Sequence, residues 1–285
     1  VLTVAIDEMR HFRWVNEALV MLKAQPVFSR ANRLSNLPPD SAIKQHQIAL
    51  ILEGLTPESL KRFIEIEKPS RDDDPDEIAG LYVHILLSLE YHPARYEEYD
   101  EDTRERLMEV CKLIVDEGHG HWFTALRVQE RLRPYDRKEY LRFEDAPSRL
   151  PPQSAQGKLQ RLGDHYYRSV LGILRQAFLP AEERGGISRG RLLRQARRVM
   201  HNLNEVGHVL GEGGQGLLFT PPRRPKPGAL PQDGVAQTLG TVVPRLLTSL
   251  KASGSAPMAD LASRHAQEAS ETLKVLQDGD EGNDL

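Results

Sequence analysis

Cysteine is nearly missing from this chain: Cys111 stands alone among 285 residues. No disulfide can close within the chain, and metal sites built from several thiolates are excluded. A reducing compartment fits, and the cytoplasm is the expected location. No apolar run approaches the roughly 18–20 residues needed to span a bilayer, and no secretory leader pattern is present, so no membrane partner is expected. The net charge of −3 removes any global electrostatic reason to bind nucleic acid. Strand-type alternation is scarce, no internal repeat is evident, and neither a P-loop nor a Ser/His/Asp grouping occurs.

What remains is helical. Hydrophobic residues make up 39% and charged residues 28% of the sequence, a balance suited to well-solvated helices. Val1, Val4, Glu8, Phe12, Val15, Leu19 and Leu22 recur at spacings of three and four, which predicts one amphipathic helix over 1–24, ended by Pro26. Nothing ahead of Val1 caps that helix, so the numbering is expected to begin inside a longer gene product. Ile43–Leu52 is apolar in patches and fits strand or helix. Thr56 and Pro57 open a helix that runs to Glu67. Further helices are expected over 77–91 and 102–132, the latter from a capping signal at Asp102–Glu105. Beyond a proline-rich connection, helices are expected over 157–178, 188–210, 234–251 and 257–277. The domain reading is a bundle over 1–135, a helical extension over 153–220 packed on it, a proline-rich linker over 221–232, and C-terminal helices with an acidic tail over 233–285.

The first helix carries Glu8 and His11, three residues apart and therefore on one face. Glu8 occupies a position in the apolar stripe. A buried carboxylate without a partner costs several kcal/mol or shifts its pKa, and a metal ion beside it removes that cost. The alternative is that Glu8 bonds an arginine or a helix end and His11 is a core histidine. The 102–132 helix repeats the pattern. Leu107, Val110, Ile114, Ala125 and Val128 form a stripe in which Glu117 and His121 replace apolar residues. Gly118 and Gly120 flank His119 there, which suggests close packing or a π-type bulge. Two helices that each turn a glutamate and a histidine inward favour iron, with manganese as the substitute, in a mononuclear or dinuclear centre.

An ordered set of motifs gives this pattern a context. Val4–His11, continued by Asn16-Glu17-Ala18-Leu19, resembles the E-E-M-x-H…N-x-L-L helix of the ferritin-like family that includes the iminophenyl-pyruvate dimer synthases of violacein and rebeccamycin assembly. Leu55–Pro69 is similar to that family's L-T-x-x-S-L-x-x-F-x-x-I-E-x-P segment. Ile78–Tyr82 resembles its I-G-x-x-Y helix start, and Ile114–His121 its I-V-x-x-G-E-G segment. The resemblance covers residues 4–130, with a weaker echo over 197–222. It implies an all-α, ferritin-like helical bundle with additional C-terminal helices, and a non-haem iron oxidoreductase of natural product biosynthesis. Oxygen or peroxide would be the oxidant and an amino-acid-derived small molecule the substrate, with room for a homodimer. Two departures stand out: the family's upstream helix with its glutamate has no counterpart in the numbering, and His119 stands where the family often has glutamate. A four-helix centre needs further ligands, and Glu67 and His84 are the candidates. The rival reading is a metal-free interaction protein in which Glu8 and Glu117 pair with arginines.

Other signals carry less. Gly211–Gly216 spells G-x-G-x-x-G, but it follows a helix where a dinucleotide loop must follow a strand, so a helix stop is expected. The arginines at 189, 191, 194, 197 and 198 lack interleaved aromatics and read as a solvated face with carboxylate partners. His165, Tyr166 and Tyr167 read as core packing or as a pocket lining, and Cys111 as inert core.

Overall fold

The computed structural model describes residues 2–27, 57–66, 68, 78–131, 148–220, 231–252 and 255–278. Its helices are α1 (Leu2–Met21), α2 (Pro57–Ile66), α3 (Ile78–Tyr91), α4 (Glu101–Arg131), α5 (Ala155–Ala177), α6 (Arg189–Glu212), α7 (Pro231–Gln237), α8 (Val243–Lys251) and α9 (Ala256–Asp278). Among the described residues there is no strand, and the chain is all-α as its periodicity requires. Ile43–Leu52 lies outside the described residues. The chain divides into two compact units, the first holding α1–α4 and the second α5–α9.

In the first unit, α4 is the helix on which α1, α2 and α3 all pack. Its stripe is buried as expected at Leu107, Val110, Ile114, His121 and Ala125. Two apolar clusters result. Trp14 of α1 packs with Val110 and Ile114, while Leu60 and Ile64 of α2 pack with Ala125. The helix starts one residue earlier than expected, because the Asp100 carboxylate, not Asp102 or Thr103, accepts the Thr103 N–H at 2.7 Å. That bond holds the Asp100 carboxyl below its usual pKa. Regular α-helix runs through Gly118 and Gly120, so neither expected cause of these glycines applies at Gly120. No bulge occurs there, and a Cβ at Gly120 would meet no atom within 4 Å.

α1 ends before Pro26. Lys23 takes a left-handed conformation with φ of 56°, and the Ala24 N–H returns to the Leu19 carbonyl, a common helix stop. Asn16, 1% exposed, ties the chain beyond this stop back onto the helix. Its amide donates to the Phe12 carbonyl at 2.8 Å, and its Oδ1 accepts the Val27 N–H at 2.7 Å.

In the second unit α5 and α6 form the framework, and α7, α8 and α9 pack on it; residues 153–220 and 233–278 thus share one unit. Ser154 and Ser188 cap α5 and α6 through their hydroxyls. The expected helix over 234–251 begins earlier and contains a π turn at Thr238–Val242. α6 ends in the Gly-rich stretch, where Gly214 has φ of 71° and the Gln215 N–H returns to the Leu210 carbonyl; the stretch is a helix stop. The chain then folds back so that Leu217 fills the space over Gly163, where a Cβ would lie 2.3 Å from its methyl.

A buried polar line crosses this unit. The Tyr166 hydroxyl lies 3.2 Å from His265 Nδ1, and His265 Nε2 lies 3.2 Å from Glu205 Oε2. A carboxylate only accepts, so Nε2 carries the proton and Nδ1 accepts the phenol. Burial outweighs Glu205 and pushes the His265 pKa below 6.5. Burial likewise raises that of Tyr166.

Gly120→Ala is expected to raise stability by about 1 kcal/mol, read as a higher midpoint in urea; a lower midpoint would mean the site has a constraint the backbone does not show. His265 and His165 both have depressed pKa values. Below their ordinary value of 6.5 the unfolded chain therefore takes up protons that the folded unit does not. The thermal midpoint should fall as pH drops from about 6.5 to about 5.5, and His265→Gln should flatten part of that slope. An unchanged slope would contradict the burial argument.

Candidate metal centre

α1 and α4 pack directly on each other, and this contact brings three of the expected residues together. His11 Nε2 lies 3.1 Å from Glu117 Oε2. The His11 and His121 rings are 5.6 Å apart, centroid to centroid, and tilted by 40°. His121 is buried at 5% exposure, whereas the His11 and Glu117 side chains are 12% and 23% exposed. The 3.1 Å approach between imidazole and carboxylate does not align as a hydrogen bond. Glu117 Oε2 is a buried acceptor with no hydrogen bond among the described residues.

The other carboxylate oxygen is engaged. Arg10 Nη2 donates to Glu117 Oε1 at 2.7 Å, and the Arg10 guanidinium lies over the Trp14 ring at 5.9 Å. Trp14 in turn stands 5.8 Å from His11. Arg10, His11 and Trp14 thus form one turn of α1 that is locked from both sides: Trp14 is packed on α4, and Arg10 is held by a charge on α4. The guanidinium offsets part of the cost of withdrawing this carboxylate from water.

Trp14 and Arg10 are the residues that periodicity missed. The stripe drawn through Phe12, Val15 and Leu19 is only half-buried, while Trp14 and Asn16 are the buried positions among the described side chains of this helix. Two signals were available: the Arg10–Trp14 spacing of four, which sets a cation over an aromatic face, and the spacing of three between His11 and Trp14. Glu8 lies on α1 one turn before His11, and its side chain lies outside the described residues, as does that of His119. Glu67 also lies outside them. His84 is on α3 and exposed.

Donor chemistry provides the test of whether a metal fits. Two donors that each sit about 2.1 Å from one ion are roughly 3.0–3.4 Å apart, and the His11–Glu117 spacing falls in that range. A carboxylate oxygen without a hydrogen bond, an imidazole nitrogen at metal-sharing distance and a second imidazole alongside suit iron or manganese. Among the described residues, no group of three or more His, Cys, Asp or Glu side chains is arranged to hold a metal ion. What the described residues provide is one His11–Glu117 pair at a spacing two ligands of one ion can share, with the His121 ring beside His11.

Residues 1–124 match the family model described as Ferritin-like. The matched segment takes in α1, α2, α3 and most of α4 and ends three residues past His121, so it contains every residue of the His11–Glu117–His121 cluster. It covers somewhat less than half of the chain. No curated protein and no solved structure matches. The N-terminal unit is thus a ferritin-like helical bundle.

Cys111 lies on the same seam, six residues before Glu117, and burial raises its thiol pKa to about 11. At about pH 8 only on the order of a thousandth of it is thiolate. A disulfide reagent should therefore leave the native protein unlabelled over the time in which the urea-unfolded chain reacts fully. Rapid labelling of the native state would show that the α4 seam opens.

Proposed function

We propose that the ferritin-like unit binds iron between α1 and α4 and serves as a non-haem iron oxidoreductase. The substrate class is an amino-acid-derived small molecule, as the resemblance to the iminophenyl-pyruvate dimer synthases implies. The observation that carries this reading is the His11 Nε2–Glu117 Oε2 approach, at a distance two ligands of one ion share and without hydrogen-bond alignment. The ferritin-like match over 1–124 supports it, because that fold builds its metal sites from carboxylates and histidines on facing helices.

In this reading His11, Glu117 and His121 hold the metal, and Glu8, one turn from His11, adds a second carboxylate. Bound iron would supply the redox chemistry with oxygen or peroxide that no side chain of the cluster can perform alone. The chain's own contribution is positional. Arg10 fixes Glu117 through Oε1 and leaves Oε2 directed at His11. Trp14 packs beside His11 and restricts its ring. Burial of His121 keeps water from one side of the cluster. Partners other than a small molecule are not required.

The Arg10–Glu117 ion pair favours a second reading, in which the pair satisfies the carboxylate and the bundle is a metal-free interaction module. Metal analysis separates the two. Protein purified without chelator and loaded aerobically with ferrous iron should retain about one to two equivalents after desalting. His11→Ala and Glu117→Ala should each cut retention roughly tenfold or more, and His84→Ala should leave it unchanged. Retention below about a tenth of an equivalent of iron, manganese or zinc would overturn the metal reading. Arg10→Ala should lower retention less than Glu117→Ala does, because Arg10 positions Glu117 without holding the metal.

A further inference from the structure

The second unit contains a cleft of about 290 Å³ lined by Arg149, Pro152, Arg161, Asp164, His165 and Arg168. Its floor is one face of α5, since residues 161, 164, 165 and 168 recur at spacings of three and four. Its other wall is the segment that leads into that helix. Two buried polar side chains hold the walls in place. Gln160, 2% exposed, accepts the Leu150 N–H at 3.0 Å and donates to the carbonyls of Ser148 and Gly216 at 2.9 and 3.1 Å. Asp164, 6% exposed, accepts both the Thr220 N–H at 2.9 Å and the Thr220 hydroxyl at 2.7 Å. Thr220 follows Phe219, whose left-handed φ of 49° is held with its ring edge-on to Tyr167 at 5.4 Å.

The charge balance of this cleft is unusual for a protein of net charge −3. Both oxygens of its one carboxylate are occupied by Thr220. Arg168 is held by its Nε donating to the Thr220 carbonyl at 3.3 Å. None of its three arginines forms an ion pair with a described residue. Burial first, and then the Arg168 and Arg161 cations, depress the His165 pKa, against an opposing pull from Asp164. Three arginines line this one small cleft, and together they offer more forked donors than the two oxygens of one carboxylate can accept. A phosphoryl group brings three terminal oxygens and a charge of about −1.5 to −2 near neutral pH, and it matches both counts.

We propose that the cleft between the 148–152 segment and α5 is a phosphate-binding site, formed by Arg149, Arg161 and Arg168, for inorganic phosphate or the phosphate group of a small phosphomonoester. The proposal is independent of the metal reading, because the cleft lies wholly in the second unit. Asp164 and Gln160 are positioning residues that hold the walls, and His165 is the group beside the ligand whose ring reports its arrival.

The test is a titration of the full-length protein at low ionic strength with inorganic phosphate, glycerol phosphate and acetate as separate probes, followed by calorimetry and by the His165 ring resonances. Saturable binding of either phosphate, with a shift of the His165 signals, is the expected result, and competition between the two names the source. Arg149→Gln and Arg161→Gln, both exposed positions that the fold tolerates, should each weaken binding roughly tenfold, while Arg194→Gln on the exposed face of α6 should not. Unsaturable binding, equal affinity for acetate, or variants that bind like the parent would overturn the proposal. Because the histidine readout uses the unmodified chain, a failure of any variant to fold leaves the question decidable.

Discussion

Glu117 sits on the packed seam of α4, where His121 is the other polar residue among apolar ones, and the arrangement of the first unit depends on how that one carboxylate is compensated. Left alone, a carboxyl at such a position would cost several kcal/mol or give up its charge. Arg10 answers half of the cost through Oε1. The other oxygen faces His11, whose ring stands 5.6 Å from that of His121. Because Arg10, His11 and Trp14 belong to one turn of α1, the same contact fixes the rotation of α1 on α4. Apolar packing of Trp14 on Val110 and Ile114 then sets the distance between the helices. Electrostatics sets the register and burial sets the separation.

The second unit treats buried polar groups in another way. Gln160 and Asp164 direct their hydrogen-bonding capacity at the backbone, and so turn an irregular arm and a helix lead-in into rigid walls. Tyr166, His265 and Glu205 form a line in which each donor has an acceptor, and burial keeps the imidazole neutral. Neither group resembles the His11–Glu117 approach, where an imidazole nitrogen and a carboxylate oxygen face each other at 3.1 Å without hydrogen-bond alignment. That contrast is the physical reason for reading the first unit as a place for a cation and the second as a scaffold with an anion-attracting cleft.

Much of this was legible in the sequence. Proline positions and threes-and-fours periodicity located the helices to within a few residues, and the intrusion of Glu117 and His121 into an apolar stripe marked the seam that His11 faces. Burial of His121 and the meeting of His11 with Glu117 accord with that pattern. Periodicity failed at two positions: Asn16 is buried because it holds a chain reversal, and Trp14, off the expected stripe, because it packs on Val110 and Ile114. The glycines around His119 misled, since Gly120 has open space about it and no bulge, while the π turn occurs at Thr238–Val242, where nothing local announced it. His165 and Tyr166, read together as core or pocket, part company: the first lines the cleft, the second is wholly buried. Which arginines line one cleft is a tertiary fact, and Arg149 and Arg161 could not have been paired from their spacing.

Anomalous scattering at the iron edge from crystals of iron-loaded protein tests the central claim most directly. A peak between α1 and α4, within coordination distance of His11 Nε2 and Glu117 Oε2, is the predicted result. A density with no peak there, and with Arg10 still paired to Glu117 in iron-replete crystals, would contradict it.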